Sequence, residues 1–521
     1  MRISPVSLLV CLACLEGASQ AQAPLAPSAE APPPSLEERM KEFDRRLQEL
    51  HAEHAADQRL IEELRRERAA ARASAEEKGR TASPAPAPVE PAKPNTDYQP
   101  AIVPFSFGDF SWAPGNYAPP DSPLSWGPFH GEFRSDVAYH YSLANPVDDT
   151  ISGSSEVFRH NEFQATQLGF GGDFYYKGVQ GRVMTQFGMY SQTTARNDPS
   201  AARGQWNLSD AYRYISEAYG GYHINALSGI NIQAGIFMSY VGLWSYYNFD
   251  NWTYQPSYVS SNTPWFFNGA RVQVFPTDRL KLELWLVNGW QAYGKFDQAP
   301  GVGLQVRWSP REWISVIGNQ YYGADTLGIS DRQRIHTDDS IMARLYNAPE
   351  SRGLSKLAMS LTVDGGCEFG DAAHDVSCTT QYFLGFMAYA RAWFYRDLFG
   401  LTFGGGAITN PGRYLVLMPP INGATAFTGS SYFTENPGDQ FTAWDLQGTF
   451  DFMPNRYITF RAEYTHRQAS VPYFSGHGGV TPPNADGSFV NQGDPGSTVP
   501  GWAPDLVKAE DRFTAAMMVR M

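Results

Sequence analysis

Charged side chains alternate with apolar ones in several short stretches of this 521-residue chain. In "TFRAEYTH", Arg461 and Glu463 alternate with Phe460 and Ala462, and successive side chains of a strand point to opposite faces. Guanidinium and carboxylate groups on one face could bind charged solutes or pair with each other. In a soluble sandwich the apolar face would be the core. In any structure that spans a membrane the charged face would be inside, so this pattern alone leaves the two options open.

A second stretch holds the groups used in nucleophilic hydrolysis. The sequence "GISDRQRIHTDD" places a serine close to His336 and to the acidic pair that ends at Asp339. Hydrolysis needs these groups in one spatial arrangement, which a sequence cannot show. The glycines of "GLTFGGGAITNPG" do not indicate a phosphate-binding loop, because no helix is expected after them. A hydrolase is kept as the third hypothesis, and no cofactor or metal site is predicted.

The elements that would position these residues are expected to be strands. Charged residues make up only 18% of the chain, whereas it contains 28 Tyr and 48 Gly, a mixture that favours strands over helices. The formal charge of -13 argues against a nucleic-acid partner, which would need a basic face.

The first residues predict export. Residues 1–21 combine one arginine, a short apolar run and small residues before Ala21, as in a secretory signal peptide. Cleavage after Ala21 would remove two of the four cysteines. The other two, Cys367 and Cys378, are expected to form a disulfide that closes a surface loop. A metal site is the alternative, with His374 as the nearby soft ligand.

The region between the signal and the strands predicts a tether. Residues 22–35 are Pro-rich, 36–74 form a coiled coil in a 4-3 apolar register that begins at Leu36, and 75–104 form a Pro/Ala-rich linker. A solvated single helix is the alternative for residues 36–74. The coil is expected in the periplasm, where it would set a homotrimer and could contact peptidoglycan.

Residues 105–521 show about sixteen alternating segments with a regular rhythm of connections. Short connections such as "KG", "PTDR" and "MPNR" are each followed, one segment later, by a long one. Short turns on one side and long loops on the other are typical of an outer-membrane barrel. No apolar run of about 18 residues follows the signal, and a chain without such runs can span a membrane only as a closed barrel.

This barrel decides which face is inside. The apolar half of each segment must face lipid, so Leu284 and Leu286 are expected to point out and Glu283 to point in. Aromatic residues near strand ends, Trp393 among them, are expected at the membrane interfaces. The candidates for lining the lumen are Arg182, Arg271, Lys281, Glu283, Arg307, Arg344, Arg391, Arg461 and Glu463. Their excess of arginine favours a modest anion preference; the alternative is that they pair with Asp445, Asp451 or Glu217 and give no selectivity.

One long loop differs from the others. The stretch "VGLWSYYNFDNWTYQPSYVSSNTPWFFN" is aromatic and almost uncharged, whereas a solvated loop tip would be polar. It could fold into the barrel and narrow it, or pack at the mouth against other loops or subunits. In the first case aromatic stacking on sugar-like or aromatic solutes would be available. The constriction candidates are Trp244, Tyr246, Tyr247, Asp250, Trp252 and Tyr254.

Long specific strings support the same interpretation. The stretches "ARGQWNLSDAYRYISEAYGGYH", "NPGRYLVLMPPINGAT" and "VPYFSGHGGVTPP", together with the aromatic loop, resemble the outer-membrane β-barrel porins of Gram-negative bacteria described as OmpL-like. The resemblance covers most of residues 105–521. It implies an outer-membrane barrel of porin function, and it brings no substrate and no assigned functional residues.

The sequence therefore predicts an all-β protein, a transmembrane antiparallel barrel of about 16 strands behind a short helical coiled coil. The first hypothesis is a porin for passive diffusion of small hydrophilic solutes or ions, in contact with outer-membrane lipid and lipopolysaccharide. The second is an anchor or adhesin that links the outer membrane to the cell wall through the coil.

Overall fold

The computed structural model describes Lys41, Arg45 and most of the chain from residue 104 to residue 521. The described ranges after Arg45 are 104–115, 123–154, 156–196, 198–202, 204–295, 299–326, 329–414, 438, 440–484, 488–489 and 502–521. Lys41 and Arg45 lie in a helix. The predicted signal peptide, Pro-rich start and linker, and the rest of the coiled coil, lie outside the described residues.

Sixteen strands form one closed antiparallel barrel, which confirms the barrel part of the predicted fold class. The strands are β1 (Phe129–Ser142), β2 (Glu162–Tyr176), β3 (Val179–Thr185), β4 (Ile215–Ile224), β5 (Ile230–Met238), β6 (Phe266–Thr277), β7 (Leu280–Val287), β8 (Gly301–Arg311), β9 (Ile314–Gly323), β10 (Gln333–Asn347), β11 (Leu354–Phe369), β12 (Tyr382–Phe394), β13 (Phe399–Thr409), β14 (Thr442–Asn455), β15 (Ile458–Ala469) and β16 (Ala509–Arg520). Each strand pairs with the next, and β16 pairs with β1 through a register that places Ala515 opposite Tyr139. The barrel therefore closes where the two ends of the domain meet.

The connections have the predicted parity. Short ones, such as residues 177–178, 312–313 and 456–457, lie at one end of the barrel, which we call the short-turn end. Long ones, such as 143–161 and 470–508, lie at the other, the long-loop end. The long connections carry three short helices, α1 (Tyr190–Arg196), α2 (Leu208–Tyr212) and α3 (Tyr258–Ser261). Among the described residues no helix is long and apolar enough to cross a membrane.

Exposure alternates along the strands in the predicted sense. On β7 the side chain of Leu284 is 63% exposed, whereas Glu283 beside it is 1% exposed. Apolar residues that point outward are exposed on strand after strand, among them Leu304, Phe403 and Met517. The outer surface is thus an apolar band and the interior is polar at the wall. Trp393, expected at the membrane interface, instead points inward and packs on Trp252, because its position on β12 has the same parity as that of Arg391.

The interior of the barrel is filled. One buried apolar cluster joins the aromatic loop (residues 239–265) and residues 110–113 to inward residues of strands from β5 to β15. Trp112 and Val259, which belong to the two inserted segments, are fully buried in it. Interiors packed in this way leave few voids larger than a water molecule. The aromatic loop and the N-terminal insert (residues 104–115) therefore occupy the space that a barrel of about sixteen strands would otherwise leave open.

A disulfide joins Cys367, near the end of β11, to Cys378 in the following long connection. The sequence separation of 11 residues makes it a local closure of that loop. The neighbouring His374 donates its Nδ1–H to the carboxylate of Asp371 at 2.8 Å.

Candidate channel lumen and its aromatic loop

The structure places all nine predicted lumen residues on the interior side of the wall. Their strands run in register, so neighbouring inward side chains meet as cross-strand pairs. Lys281 and Glu283, two positions apart on the same strand β7, also form an ion pair, with Nζ 2.6 Å from Oε1. Arg344 on β10 reaches the turn after β8, where Nη2 lies 2.8 Å from Glu312 Oε1.

The remaining charged candidates lie mostly in paired networks. Arg182 on β3 contacts Glu217 Oε2 at 2.7 Å and Glu132 Oε2 at 2.8 Å. On the far side, Asp451 on β14 accepts from two guanidinium groups, Arg391 Nη1 at 2.7 Å and Arg461 Nε at 2.7 Å. These arginines thus pair with Glu217 and Asp451, as the alternative to an anion-selective lining described. Asp445, the third expected partner, has a different role, described below.

Several of the lumen arginines lie over aromatic rings, among them Arg271 and Arg307. The Arg271 guanidinium is 4.5 Å from the ring centroid of Phe237, and Nε donates to Gln233 Oε1 at 2.6 Å. The Arg307 guanidinium is 4.8 Å from the centroid of Phe105, a residue of the N-terminal insert. Such cation–π contacts are worth more when desolvated. Arg307 therefore helps to hold the insert inside the barrel.

Glu463 is the main wall contact of the aromatic loop. Its carboxylate accepts the backbone N–H of Tyr254 at 2.6 Å and that of Gln255 at 2.8 Å. It also accepts from the hydroxyl of Thr449 at 2.8 Å. Hydrogen bonds to a charged acceptor are shorter and about twice as strong as neutral ones. A residue predicted to line a water-filled lumen thus binds the loop instead.

Asp445 provides the second wall contact, which sequence reasoning missed. Its Oδ2 accepts from Ser257 Oγ and from the backbone N–H of Tyr258, both at 2.9 Å. Ser257 is the residue before α3, so the carboxylate sits at the start of this short helix. The inward position of Asp445 follows from the alternation of β14. Its acceptance of loop N–H groups could not, because the contact spans 187 positions in the chain.

The six aromatic-loop candidates pack inside the barrel, and one of them, Trp252, contacts the N-terminal insert through its side chain. Trp244 lies against Tyr389 on β12, with ring centroids 4.7 Å apart. The indole N–H of Trp252 donates to the backbone oxygen of Trp112 at 3.2 Å. Tyr254 donates its hydroxyl to Asp136 Oδ1 at 3.1 Å.

The other three candidates, Tyr246, Tyr247 and Asp250, make hydrogen bonds to residues of the barrel wall or next to it. Tyr246 donates to Gln186 Oε1, and Tyr247 donates to Glu217 Oε2 at 2.9 Å. Burial raises the pKa of Tyr247 well above its ordinary value, and the Glu217 carboxylate adds to this shift. The hydroxyl therefore stays a neutral donor. Asp250 accepts from Arg134 Nη1 on β1 at 3.1 Å and from Arg520 on β16.

Two small cavities flank the aromatic loop. The short-turn vestibule measures about 290 Å³ and includes the charged residues Arg391, Arg456, Arg461, Arg520, Asp250 and Asp451. The long-loop vestibule measures about 180 Å³ and contains Glu156 and Trp265. The two share no lining residue. The loop therefore lies between a vestibule with excess positive charge and a smaller one on the long-loop side.

The groups considered for hydrolysis do not meet as a triad. His336 points inward, where Nδ1 lies 2.8 Å from the Tyr414 hydroxyl and Nε2 lies 3.0 Å from Asp364 Oδ1. Ser330 lies in the long connection before β10, with its hydroxyl 3.5 Å from Asp331 Oδ1. Asp339 points outward on β10. The alternation of β10 places Asp339 on the face opposite His336, and Ser330 lies outside this strand.

The chain matches the family model described as "Putative beta-barrel porin-2, OmpL-like" over residues 135–492. The chain belongs to this family. The resemblance seen in the sequence is thereby confirmed, and the OmpL-like barrel is a porin-like barrel of the outer membrane. A search among curated proteins finds no match.

Similar solved structures include barrels of other bacteria. OmpT, an outer membrane protein of Vibrio cholerae, has 9% identity and a TM-score of 0.41, with 76% of this chain and 99% of that chain covered. The anion-selective porin from Comamonas acidovorans has 7% identity and a TM-score of 0.44, with 75% and 99% covered. The outer membrane channel DcaP of Acinetobacter baumannii has 12% identity and a TM-score of 0.41, with 75% and 96% covered.

Proposed function

We propose that this OmpL-like barrel is a loop-gated porin that passes small hydrophilic solutes and ions by passive diffusion, with a preference for anions. The observation that carries the proposal is the construction of the aromatic loop. It fills the lumen, yet Glu463 and Asp445 hold it at the wall through hydrogen bonds to its backbone. Contacts of this kind can be exchanged for water when the loop moves, because folding and solvation both satisfy the same groups.

The anion preference rests on the short-turn vestibule. Its lining holds four arginines and two aspartates, so two positive charges are in excess there. Rings of like charge at a pore mouth raise the local concentration of the opposite ion. Arg391 and Arg461 share the one carboxylate of Asp451, which leaves positive charge in excess in the vestibule. Arg182, elsewhere in the wall, contributes little because it lies against three carboxylates.

Single-channel current tests the proposal. The refolded chain from residue 22 to residue 521 would be placed in a planar bilayer across a salt gradient. We expect brief conductance steps and a reversal potential of the sign for anions. Arg456→Ala, at the vestibule mouth, should move that potential towards zero. Arg396→Ala, in another short turn and outside the vestibule, is the matched control. A cation-selective potential in the unmodified protein would contradict the anion preference.

The filled lumen favours a second candidate, an outer-membrane anchor. In that function the barrel holds the chain in the membrane, and the periplasmic coil with its Pro-rich tether contacts the cell wall. Electrical silence from folded, inserted protein, including a variant with the loop contacts removed, would favour the anchor over the porin. Pull-down of purified peptidoglycan by residues 22–104, and its loss on deleting residues 36–74, would support it directly.

The coil carries one further proposal, that it sets a homotrimer. Deleting residues 22–100 should then convert trimers into single barrels, as measured by mass of the detergent-solubilised protein. Trimers that survive the deletion would assign the association to the barrel.

A further inference from the structure

Asp339 is a charged residue on the outer surface of the barrel, where most outward side chains are apolar. It lies on β10 with its side chain exposed and pointing outward, between the outward residues Ile335 and Ile341. Asp511, another outward carboxylate, lies near the long-loop end of β16 and accepts from Tyr464 and His466. Asp339 instead lies well inside its strand.

The depth of Asp339 follows from strand geometry. It is six residues from Gln333, where β10 begins, and eight from Asn347, where it ends. With a rise of about 3.4 Å per residue and a tilt of about 40°, these correspond to vertical distances of roughly 15 Å and 20 Å. The apolar band of such barrels is about 25 Å tall. Wherever that band lies along the strand, the carboxylate is at least about 5 Å inside its edge, in a region where acyl chains offer no hydrogen bond.

Polar groups accompany the carboxylate on the same surface. Thr337 donates its hydroxyl to Asp339 Oδ2 at 2.9 Å. Gln320 on β9 is exposed and outward, one ladder step away, since Gly318 is the register partner of Asp339 and Gln320 that of Thr337. Gly318 leaves a pit between them: a Cβ there would come within 3.0 Å of Asp339 Oδ1 and 3.7 Å of Gln320 Nε2.

We propose that this polar pit, formed by Gln320, Thr337, Asp339 and Gly318, is a side-by-side contact between two copies of the chain. The pit carries both a strong acceptor, the carboxylate, and a donor, the Gln320 amide. A two-fold contact brings the same patch of each copy together, so each carboxylate can accept from the partner copy's amide. Lipid tails cannot do this, and polar groups in a membrane are satisfied by protein. The contact is separate from the coil; if the coil assembles three chains, it joins neighbouring trimers.

A crosslink tests the geometry. Full-length barrels with Gln320→Cys, oxidised in outer-membrane vesicles, should form a disulfide-linked pair. The native Cys367 and Cys378 already bond to each other, so they do not compete for the introduced thiol. Leu168→Cys, also outward and exposed but on β2 across the barrel, is the matched control and should stay unlinked. Equal crosslinking of both variants, or none in Gln320→Cys, would overturn the proposal.

A second variant measures the chemistry. Asp339→Leu places an ordinary apolar residue on the lipid-facing surface, so the barrel should fold as well as the parent. Self-association, measured by sedimentation in detergent, should weaken at least about tenfold, which corresponds to the loss of a hydrogen bond to a charged group. Met359→Leu, outward on the neighbouring β11, is the control and should leave association unchanged. A folded Asp339→Leu barrel that associates as the parent does would show that the carboxylate faces lipid instead of a second copy.

Discussion

At the scale of single residues, the interior of this barrel is organised by where carboxylates find donors. Glu463 and Asp445 accept backbone N–H groups of the aromatic loop, whereas Glu217 and Asp451 neutralise arginines of the wall. Both uses satisfy a buried charge, which would otherwise be costly. The consequence for conduction differs, because the first pair binds the backbone of the aromatic loop, whereas Glu217 contacts the loop through the Tyr247 hydroxyl.

Glu463→Gln tests this distinction. The amide keeps the size of the side chain but loses the charge that accepts two loop N–H groups. We expect the free energy of unfolding to fall by about 1–3 kcal/mol and the open time in planar bilayers to rise severalfold.

The control for this variant is Glu283→Gln, which removes an inward carboxylate paired with Lys281 and not with the loop. It should lower stability without lengthening openings. Equal open times for the two variants would show that Glu463 does not hold the gate.

At the scale of elements, the strands could be predicted from the sequence and the packing inside them could not. In segments such as 281–286, apolar residues that face lipid alternate with polar residues that face the lumen. The number of strands, the orientation of their side chains and the parity of the turns could therefore be predicted. The N-terminal insert has no such period. Its place inside the lumen depends on contacts such as Trp112 Nε1 to the Glu312 backbone oxygen, 200 positions away in the chain. Contacts over such distances leave no local signal in the sequence.

Trp112→Ala tests the insert. The indole is fully buried between the aromatic loop and the wall, so its loss should leave a cavity and cost about 3–5 kcal/mol. It should also raise the conductance of each opening, because the insert would no longer fill the short-turn end.

Trp126→Ala is the matched control, since Trp126 is 85% exposed. Its effect on both stability and conductance should be small. If Trp112→Ala lowers stability but leaves conductance unchanged, the insert stabilises the barrel without closing it.

At the scale of the whole molecule, the barrel combines a surface suited to lipid with an interior packed like a soluble core. This combination accounts for the abundance of aromatic residues in the chain, which serve both sides of the wall.

The excess positive charge lies in the vestibule at the short-turn end, so an anion preference should depend on ionic strength. We expect the reversal potential across a fixed salt ratio to shrink as total salt is raised, because the Debye length falls from about 10 Å at 0.1 M to about 3 Å at 1 M. A potential that is independent of salt would place selectivity in the screened interior instead.

Asp250, at the centre of the aromatic loop, contacts Arg134 on the first strand and Arg520 on the last. These two strands are neighbours only after the sheet has closed, so the full binding site for Asp250 does not exist in a partly formed barrel. The order of events during biogenesis follows from this: β16 must pair with β1 and close the barrel before the aromatic loop can dock at its full binding site. A newly inserted barrel would thus pass through a leaky stage, and time-resolved dye efflux from liposomes during refolding should show a transient that ends as the loop docks.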